Sequence, residues 1–299
     1  MYIYLTFDDG IQPGTGDVLH VLKEAGIPAT FFLTGIHTQY QFQKDERCCL
    51  NMLHDIYKNH VIGNHSYSHA NEYYSTYYSK GLLIDNDGNR RSITEDFEQN
   101  EKFLLGLLSR IYGDQVMQRG LRSEQQELFL ARLPGRNVWY HAPETALHGW
   151  EGAAIDRADA WQAATALYNK GNKVYGWHSS WEMQFDFSAQ TRQYHQQAIM
   201  DGTMDYTALC KTNPNWDMYA TENIGNDRLL WDAATMLDKI SQHQNKDKMI
   251  LLMHDRAFRT TKLPQHFTDI NSNPAAKALQ QLICQLKEQQ VIFDTLDHY

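Results

Sequence analysis

Residues 4–35 read YLTFDDGIQPGTGDVLHVLKEAGIPATFFLTG. An apolar run, IYLTF at 3–7, ends in two adjacent aspartates, Asp8 and Asp9. A helix-like stretch follows over 16–25, with Val18, Leu19, Val21 and Leu22 forming its apolar stripe and Gly26 supplying a stop. A second apolar run, ATFFLT, occupies 29–34. The same rhythm continues outward. Strand-like runs recur at 61–64, 128–132, 173–177, 249–253 and 291–294, and helix-like segments at 46–58, 94–112, 156–170, 228–243 and 275–290. Strands alternating with helices predict a parallel sheet covered on both faces, which suits continuous apolar strands. The expectation is one α/β domain over 1–299, a distorted (β/α) barrel of about seven parallel strands.

Three stretches break the rhythm: 66–93, 135–155 and 178–227. They are rich in Tyr, Trp, Asn, Gly and Ser and read as long strand-to-helix loops over an active site. Hydrophobic residues make up 42% of the chain, enough for a sizeable core. The net charge of −9 argues against a partner that tracks nucleic-acid phosphates. Seventeen Tyr and seven Trp suit a sugar-binding cleft, and they suit core filling equally well. Cys48, Cys49, Cys210 and Cys284 form no CxxC and no repeating framework, so neither a disulfide scaffold nor a thiolate metal site is expected. Cys48 and Cys49 are expected on a helix. No run of about 18 apolar residues is present, so no membrane span is expected. Strand-like sequence begins at once, which fits a cytoplasmic protein if Met1 is the native start. It fits a secreted or periplasmic one if a leader was removed.

In parallel α/β folds, chemistry gathers where strands end. The strand ends here carry Asp8 and Asp9, then His65 and His69 in GNHSYSHA, Arg132 in ARLPGRNVW, Trp177, His178 and Trp181 in YGWHSSWEM, and His254 and Asp255 in ILLMHD. His65 and His69 are four apart, so one helical turn would put both imidazoles on one face. Alone, an HxxxH among fourteen histidines is weak, and an acidic pair is weaker. Together, one carboxylate and two imidazoles form a catalytic zinc ligand set with a position left open for water, and the second carboxylate gains a role as base. In isolation, His254 reads equally as a satisfied core histidine, Arg132 as the partner of a surface acid, and Trp181 as rim packing.

The series LTFDDG, HSYSH, RLPG and LLMH, in that order and followed by VIFDTLDHY, resembles the motif series of polysaccharide deacetylases, the NodB-homology fold of carbohydrate esterase family 4. Its long loops and FDT ending look most similar to bacterial chitin oligosaccharide deacetylases. The resemblance implies a hydrolase that removes N-acetyl groups from N-acetylglucosamine oligomers and releases acetate. It implies Asp8 as general base, Asp9, His65 and His69 as ligands of one divalent metal, His254 as general acid, and Arg132 as the residue that orients Asp8. A backbone N–H near Gly135 would stabilise the oxyanion, and Trp177 and Trp181 would shape the sugar subsites. Zinc suits the ligand types, and cobalt, nickel or manganese could load the same set.

The sequence departs from the family in three places. Aspartates are expected before the tryptophan of the fourth motif, one of them holding the arginine. GWHSSW has His178 and Ser180 there, so Glu182 or Asp186 becomes the expected partner of Arg132. The proline after TFDDG is delayed to Pro13, and Gly135 stands where an aromatic is common. The alternatives are deacetylation of peptidoglycan or another N-acyl polysaccharide, and a catalytically weak carbohydrate-binding protein.

Overall fold

A computed structural model describes residues 1–72, 74–84, 87–123, 127–142, 154–184, 228–243, 247–259 and 270–299. Its main sheet has eight strands: β1 Tyr2–Asp8, β2 Thr30–Leu33, β3 Val61–Asn64, β4 Phe129–Ala131, β5 Asn172–Val174, β6 Ser179–Ser180, β7 Lys248–His254 and β8 Ile292–Asp294. Their order is β5-β4-β3-β2-β1-β7-β6, and every pairing is parallel. β7 runs along the whole of β1, while β8 and β2 share the other edge, β8 against Tyr2–Tyr4 and β2 against Thr6–Asp8. The sheet is a curled half-barrel, the distorted (β/α) barrel that the sequence predicts.

Apart from a single turn at Val116–Arg119, the helices among the described residues are α1 Thr15–Ala25, α2 Gly35–Lys44, α3 Glu46–Asn59, α4 Tyr74–Lys80, α5 Ile93–Tyr112, α6 Ala154–Asn169, α7 Ala233–Gln242 and α8 Pro274–Glu288. Two of them were not foreseen. α2 (GIHTQYQFQK) is mostly polar, and α4 (YSTYYSK) is built from weak helix formers, so neither shows an apolar stripe. The stretch 66–93 is therefore not an open loop. It holds a 3₁₀ turn at His69–Glu72, then α4, then a hairpin that pairs Leu82–Leu83 with Arg90–Arg91. Most of the other two long stretches lies outside the described residues. Cys48 and Cys49 both lie buried on α3 and Cys284 is exposed, none of them in a disulfide.

Strand parity decides what points where. Ile3, Leu5 and Phe7 of β1, Phe31 and Leu33 of β2, and Met249, Leu251 and Met253 of β7 pack outward with α1, α3 and α8. The alternate residues Tyr4, Phe32 and Ile250 meet Leu130, Trp139 and Tyr175 inside the curl. Because side chains alternate along a strand, Thr6 and Asp8 follow Tyr4 inward, His254 follows Ile250, and Arg132 follows Leu130. Asp8 and His254 are register partners on neighbouring strands.

The α1–α8 contact contains a titratable group. Asp17 is buried on α1 and accepts a hydrogen bond from Asn273 Nδ2 at 3.0 Å. Burial pushes its carboxyl from 3.8 up to about 6, against the lowering effect of that hydrogen bond. A raised folded-state value means stability that is present below pH 3.8 and lost as pH rises through about 6. Asp17→Asn removes the ionisation, so its melting temperature by calorimetry should exceed that of the wild type by about 2–4 °C at pH 7.5 and match it at pH 4. An equal gain at both pH values would contradict this account.

Candidate metal centre and active site

Asp9 closes β1, and its backbone turns into the left-handed region, with φ 75°. That turn aims its carboxylate beside Asp8 at the inner mouth of the sheet. Asp9 Oδ1 lies 3.1 Å from His69 Nε2 and 3.5 Å from His65 Nε2, and accepts no hydrogen bond. The three donor atoms sit within 4.8 Å of one another, all on buried residues. Ligands about 2 Å from one tetrahedral ion must be spaced in this way. A divalent metal therefore fits the set Asp9, His65 and His69.

The two histidines do not share a helical turn. Ser66, His69 and Ala70 have φ of 63°, 51° and 55°, and only from His69 onward is the segment 3₁₀. Residues outside the motif impose this shape, as left-handed non-glycine residues persist only where their surroundings over-determine them. Asn64 Oδ1 accepts from the Ser66 N–H at 3.0 Å and from Asn100 Nδ2 at 2.8 Å. The fully buried Asp96 accepts from the Ser68 hydroxyl at 2.7 Å and the Tyr77 hydroxyl at 3.0 Å. Asp96 and Asn100 belong to α5, whose start is set by a reciprocal cap between Ser92 and Glu95. These supports could have been found from one signal. Asp96 and Asn100 are four apart on the face of α5 that also buries Phe97, Leu104 and Leu108.

His65 Nδ1–H donates to the Arg132 carbonyl at 2.8 Å, which fixes the tautomer and leaves Nε2 as the ligand atom. Burial pushes the His65 ring below its usual value, so it stays a neutral lone-pair donor. His37, on α2, was not foreseen. Its Nδ1–H donates to the Asp9 carbonyl at 2.8 Å, and the Thr34 hydroxyl donates to the same oxygen at 3.0 Å. Burial holds His37 neutral, at about 4. Burial would raise the Asp9 carboxyl, but the charge of His69 first, and of His254 next, holds it well below the usual range. Asp255 is buried and accepts from the Thr15 hydroxyl at 2.5 Å. Burial pushes it up to about 8, with the charges of Asp9 and Asp8 adding to the rise, so it is neutral at pH 7.

Asp8 divides its two oxygens between two roles. Oδ1 accepts from Arg132 Nη1 at 2.8 Å, while Oδ2 lies 3.5 Å from His65 Nε2 and faces the ligand cluster. Arg132 has no exposure to solvent. Among the described residues, no second carboxylate supports it. Its Nε donates to the Tyr175 carbonyl at 3.1 Å, Nη2 to the Gly176 carbonyl at 2.8 Å, and Nη1 also to the Thr6 hydroxyl at 2.7 Å. Glu182 is exposed and accepts instead from the Ser180 hydroxyl, and Asp186 lies outside the described residues. His178 is not beside the site. Its Nδ1 accepts from the Ile250 N–H at 2.9 Å, four residues down β7 from His254.

The expected sugar-contacting residues separate. Trp181 is 1% exposed, packs edge-on against Phe258 and donates to the Trp231 carbonyl at 2.9 Å. A fully buried ring cannot wall a cleft, so here it is a core residue. Trp177 is partly exposed, with its ring 5.8 Å from the Arg132 guanidinium. Gly135 has φ 61°, and a Cβ there would come within 2.8 Å of the Tyr74 ring, which also packs edge-on against the ligand His69. Tyr74 thus fills space beside Gly135 from the start of α4.

A family model described as polysaccharide deacetylase matches residues 1–110. A 68-residue segment is 44% identical to peptidoglycan-N-acetylmuramic acid deacetylase PdaA of Bacillus subtilis (strain 168). That segment covers 22% of this chain and only 23% of the relative. Chitin disaccharide deacetylase of Vibrio alginolyticus is 23% identical over 99% of this chain and 71% of its own length. Among solved structures, a Streptococcus mutans CE4 esterase superposes with a TM-score of 0.51 at 19% identity, covering 98% of this chain and 85% of that one. That likeness is one of fold.

Plasma emission analysis of protein dialysed against zinc should find about one ion per chain. His69→Ala should drop to background, and Asp96→Ala, which frees the turn without removing a ligand, should weaken zinc affinity about 10–100-fold. Full loading of His69→Ala would remove it from the ligand set.

Proposed function

We propose that the chain is a polysaccharide deacetylase of carbohydrate esterase family 4, and that it hydrolyses the N-acetyl amide of N-acetylglucosamine oligosaccharides, releasing acetate and leaving an amine. One observation supports the reading above the others. Asp8 is pinned through Oδ1 by a buried arginine and presents Oδ2 to the Asp9–His65–His69 cluster, with His254 on the neighbouring strand. Amide hydrolysis needs a base for water, charge stabilisation on the tetrahedral carbon's oxygen, and a proton for the leaving nitrogen.

Asp9, His65 and His69 would hold the divalent ion, which when bound supplies Lewis-acid charge at the reacting carbonyl and eases the ionisation of water. Asp8 Oδ2 takes a proton from the attacking water as its oxygen bonds to the acetyl carbon. Arg132 fixes the direction of Asp8 through the hydrogen bond to Oδ1. His254 then delivers a proton to the amide nitrogen as the C–N bond breaks, so acetate and the free amine leave. The backbone N–H after Pro134 is the proposed second donor to the oxyanion. The Tyr78 hydroxyl and Arg136 Nη1 support that loop by donating to the Pro134 and Gly135 carbonyls, each at 2.8 Å.

Chitin oligomers are favoured over peptidoglycan because the similarity to the disaccharide deacetylase runs along nearly the whole chain, inserts included. The match to PdaA is confined to 68 residues. The same machinery would serve peptidoglycan if the cleft admits a polymer.

Metal-stripped protein should release no acetate from di-N-acetylchitobiose or longer chitooligosaccharides, and zinc or cobalt should restore release. Turnover of peptidoglycan fragments alone would move the substrate to the second reading, and no release from either would refute both. Asp8→Asn should keep its metal and lose at least about 100-fold in kcat, because only the base is removed. Turnover near wild type would refute Asp8 as the base.

A further inference from the structure

The geometry points to Asn137 as a positioning residue that acts on the base through Arg132, by way of the Tyr175–Trp177 backbone. The inference rests on the deacetylase reading for its kinetic consequence and on the hydrogen bonds of Asn137 and Arg132 for its structural one.

Among the described residues, Arg132 meets one carboxylate, Asp8, and its other partners are neutral. The guanidinium lies 4.2 Å above the Phe32 ring. Where carboxylates would otherwise grip the far side of the fork, two consecutive carbonyls do so, those of Tyr175 and Gly176. Successive carbonyls of an extended strand point to opposite sides. For both to reach one guanidinium, the chain must leave strand geometry just past Val174, the last residue of β5. Doing so strips the Trp177 peptide of ladder partners, and a buried or half-buried peptide needs replacements.

Asn137 supplies both. Its Oδ1 accepts from the Trp177 N–H at 3.0 Å, and its Nδ2 donates to the Trp177 carbonyl at 2.8 Å. One side-chain amide thus pairs with the Trp177 peptide as a neighbouring strand would. The amide is itself oriented, because Trp139 Nε1–H donates to the same Oδ1 at 2.9 Å. That bond settles which end of Asn137 is oxygen. The backbone beyond is tied at Tyr140, which exchanges both hydrogen bonds with Val174, at 2.8 and 3.0 Å. The fit is tight between these anchors. A Cβ on Gly176 would fall 1.8 Å from Asn137 Oδ1 and 2.4 Å from Trp139 Nε1, so position 176 accepts glycine only. Trp139, Asn137 and Gly176 together place two carbonyl dipoles on Arg132. The whole positive charge of the guanidinium is left facing Asp8.

Among the described residues, backbone held by an asparagine therefore stands where a second carboxylate would support Arg132. Three features that look unrelated in the sequence, the aromatic-poor RLPG, the NVW that follows and the carboxylate-free GWHSSW, become one device.

The test has two arms on zinc-loaded protein. In spectra of ¹⁵N-arginine-labelled wild type, one Nε–H should exchange slowly with solvent and vanish in Arg132→Lys. In Asn137→Ala the same signal should exchange at least about 10-fold faster. In the kinetic arm, Asn137→Ala should lose about 10–100-fold in kcat with KM and zinc content unchanged. Adding Asn137→Ala to Arg132→Ala should cost nothing further, because coupled residues fail to add. Trp139→Phe, which keeps a ring and removes one donor, should lose about 2–10-fold and should be equally silent in the Arg132→Ala background. It carries the test if Asn137→Ala does not fold. Unchanged Nε–H exchange in both variants, or losses that multiply with Arg132→Ala, would overturn the proposal. Protected exchange in a protein that releases no acetate would count against the deacetylase reading and leave the cradle standing.

Discussion

Asp8 and Asp9 put two carboxylates on adjacent residues that are 2% and 5% exposed. Removing such ions from water costs several kcal/mol each even after relaxation, and their mutual repulsion adds to that cost. Everything around them can be read as a means of separating and neutralising the pair. The left-handed turn at Asp9 brings its carboxylate to the inner mouth, against His65 and His69. Asp8 is left with a buried arginine on one oxygen. A divalent cation at the first group and a guanidinium at the second would offset both negative charges with no further cation. Asp255, the third acid nearby, stays protonated and adds no negative charge.

Sheet parity makes this economical. Alternate residues of β1, β4 and β7 turn inward, so Asp8, Arg132 and His254 arrive at one mouth by extending strands whose outward residues are ordinary core. The ligand histidines come from a turn past β3 that strand geometry cannot shape. There the fold turns to polar side chains, with Asn64, Asn100 and Asp96 buried under the turn. The same solution recurs on the opposite flank, where Asn137 holds the backbone that holds Arg132. Side-chain amides and acids replace ladder hydrogen bonds wherever the chain leaves the sheet to build chemistry.

Much of this was legible. The seven foreseen strands and six foreseen helices each have a counterpart, because parallel strands buried on both faces read as unbroken apolar runs. The strand expected over 173–177 ends at Val174, however, and the helix expected over 228–243 starts at Ala233, after a strand at Arg228–Leu229. The convergence of Asp9, His65 and His69 was legible from residue type and order. The supporting shell was not, since it consists of common polar residues whose meaning depends on partners far away in sequence. Asp96 reaches back 28 residues to Ser68, and Arg132 reaches 43 to Tyr175. Trp181 misled for a related reason. A tryptophan beside a strand end can face a cleft or the core, and only the packing of Phe258 and Trp231 shows that it faces the core.

The account depends on a metal bound by one carboxylate and two imidazoles, with Asp8 kept outside the coordination shell as a base. X-ray absorption of the zinc-loaded protein tests this most directly. The account predicts two imidazole ligands at about 2.0–2.1 Å with oxygen completing the shell, and the same spectrum in Asp8→Asn. A third imidazole, a sulfur ligand, or a shell that changes when Asp8 is replaced would contradict it.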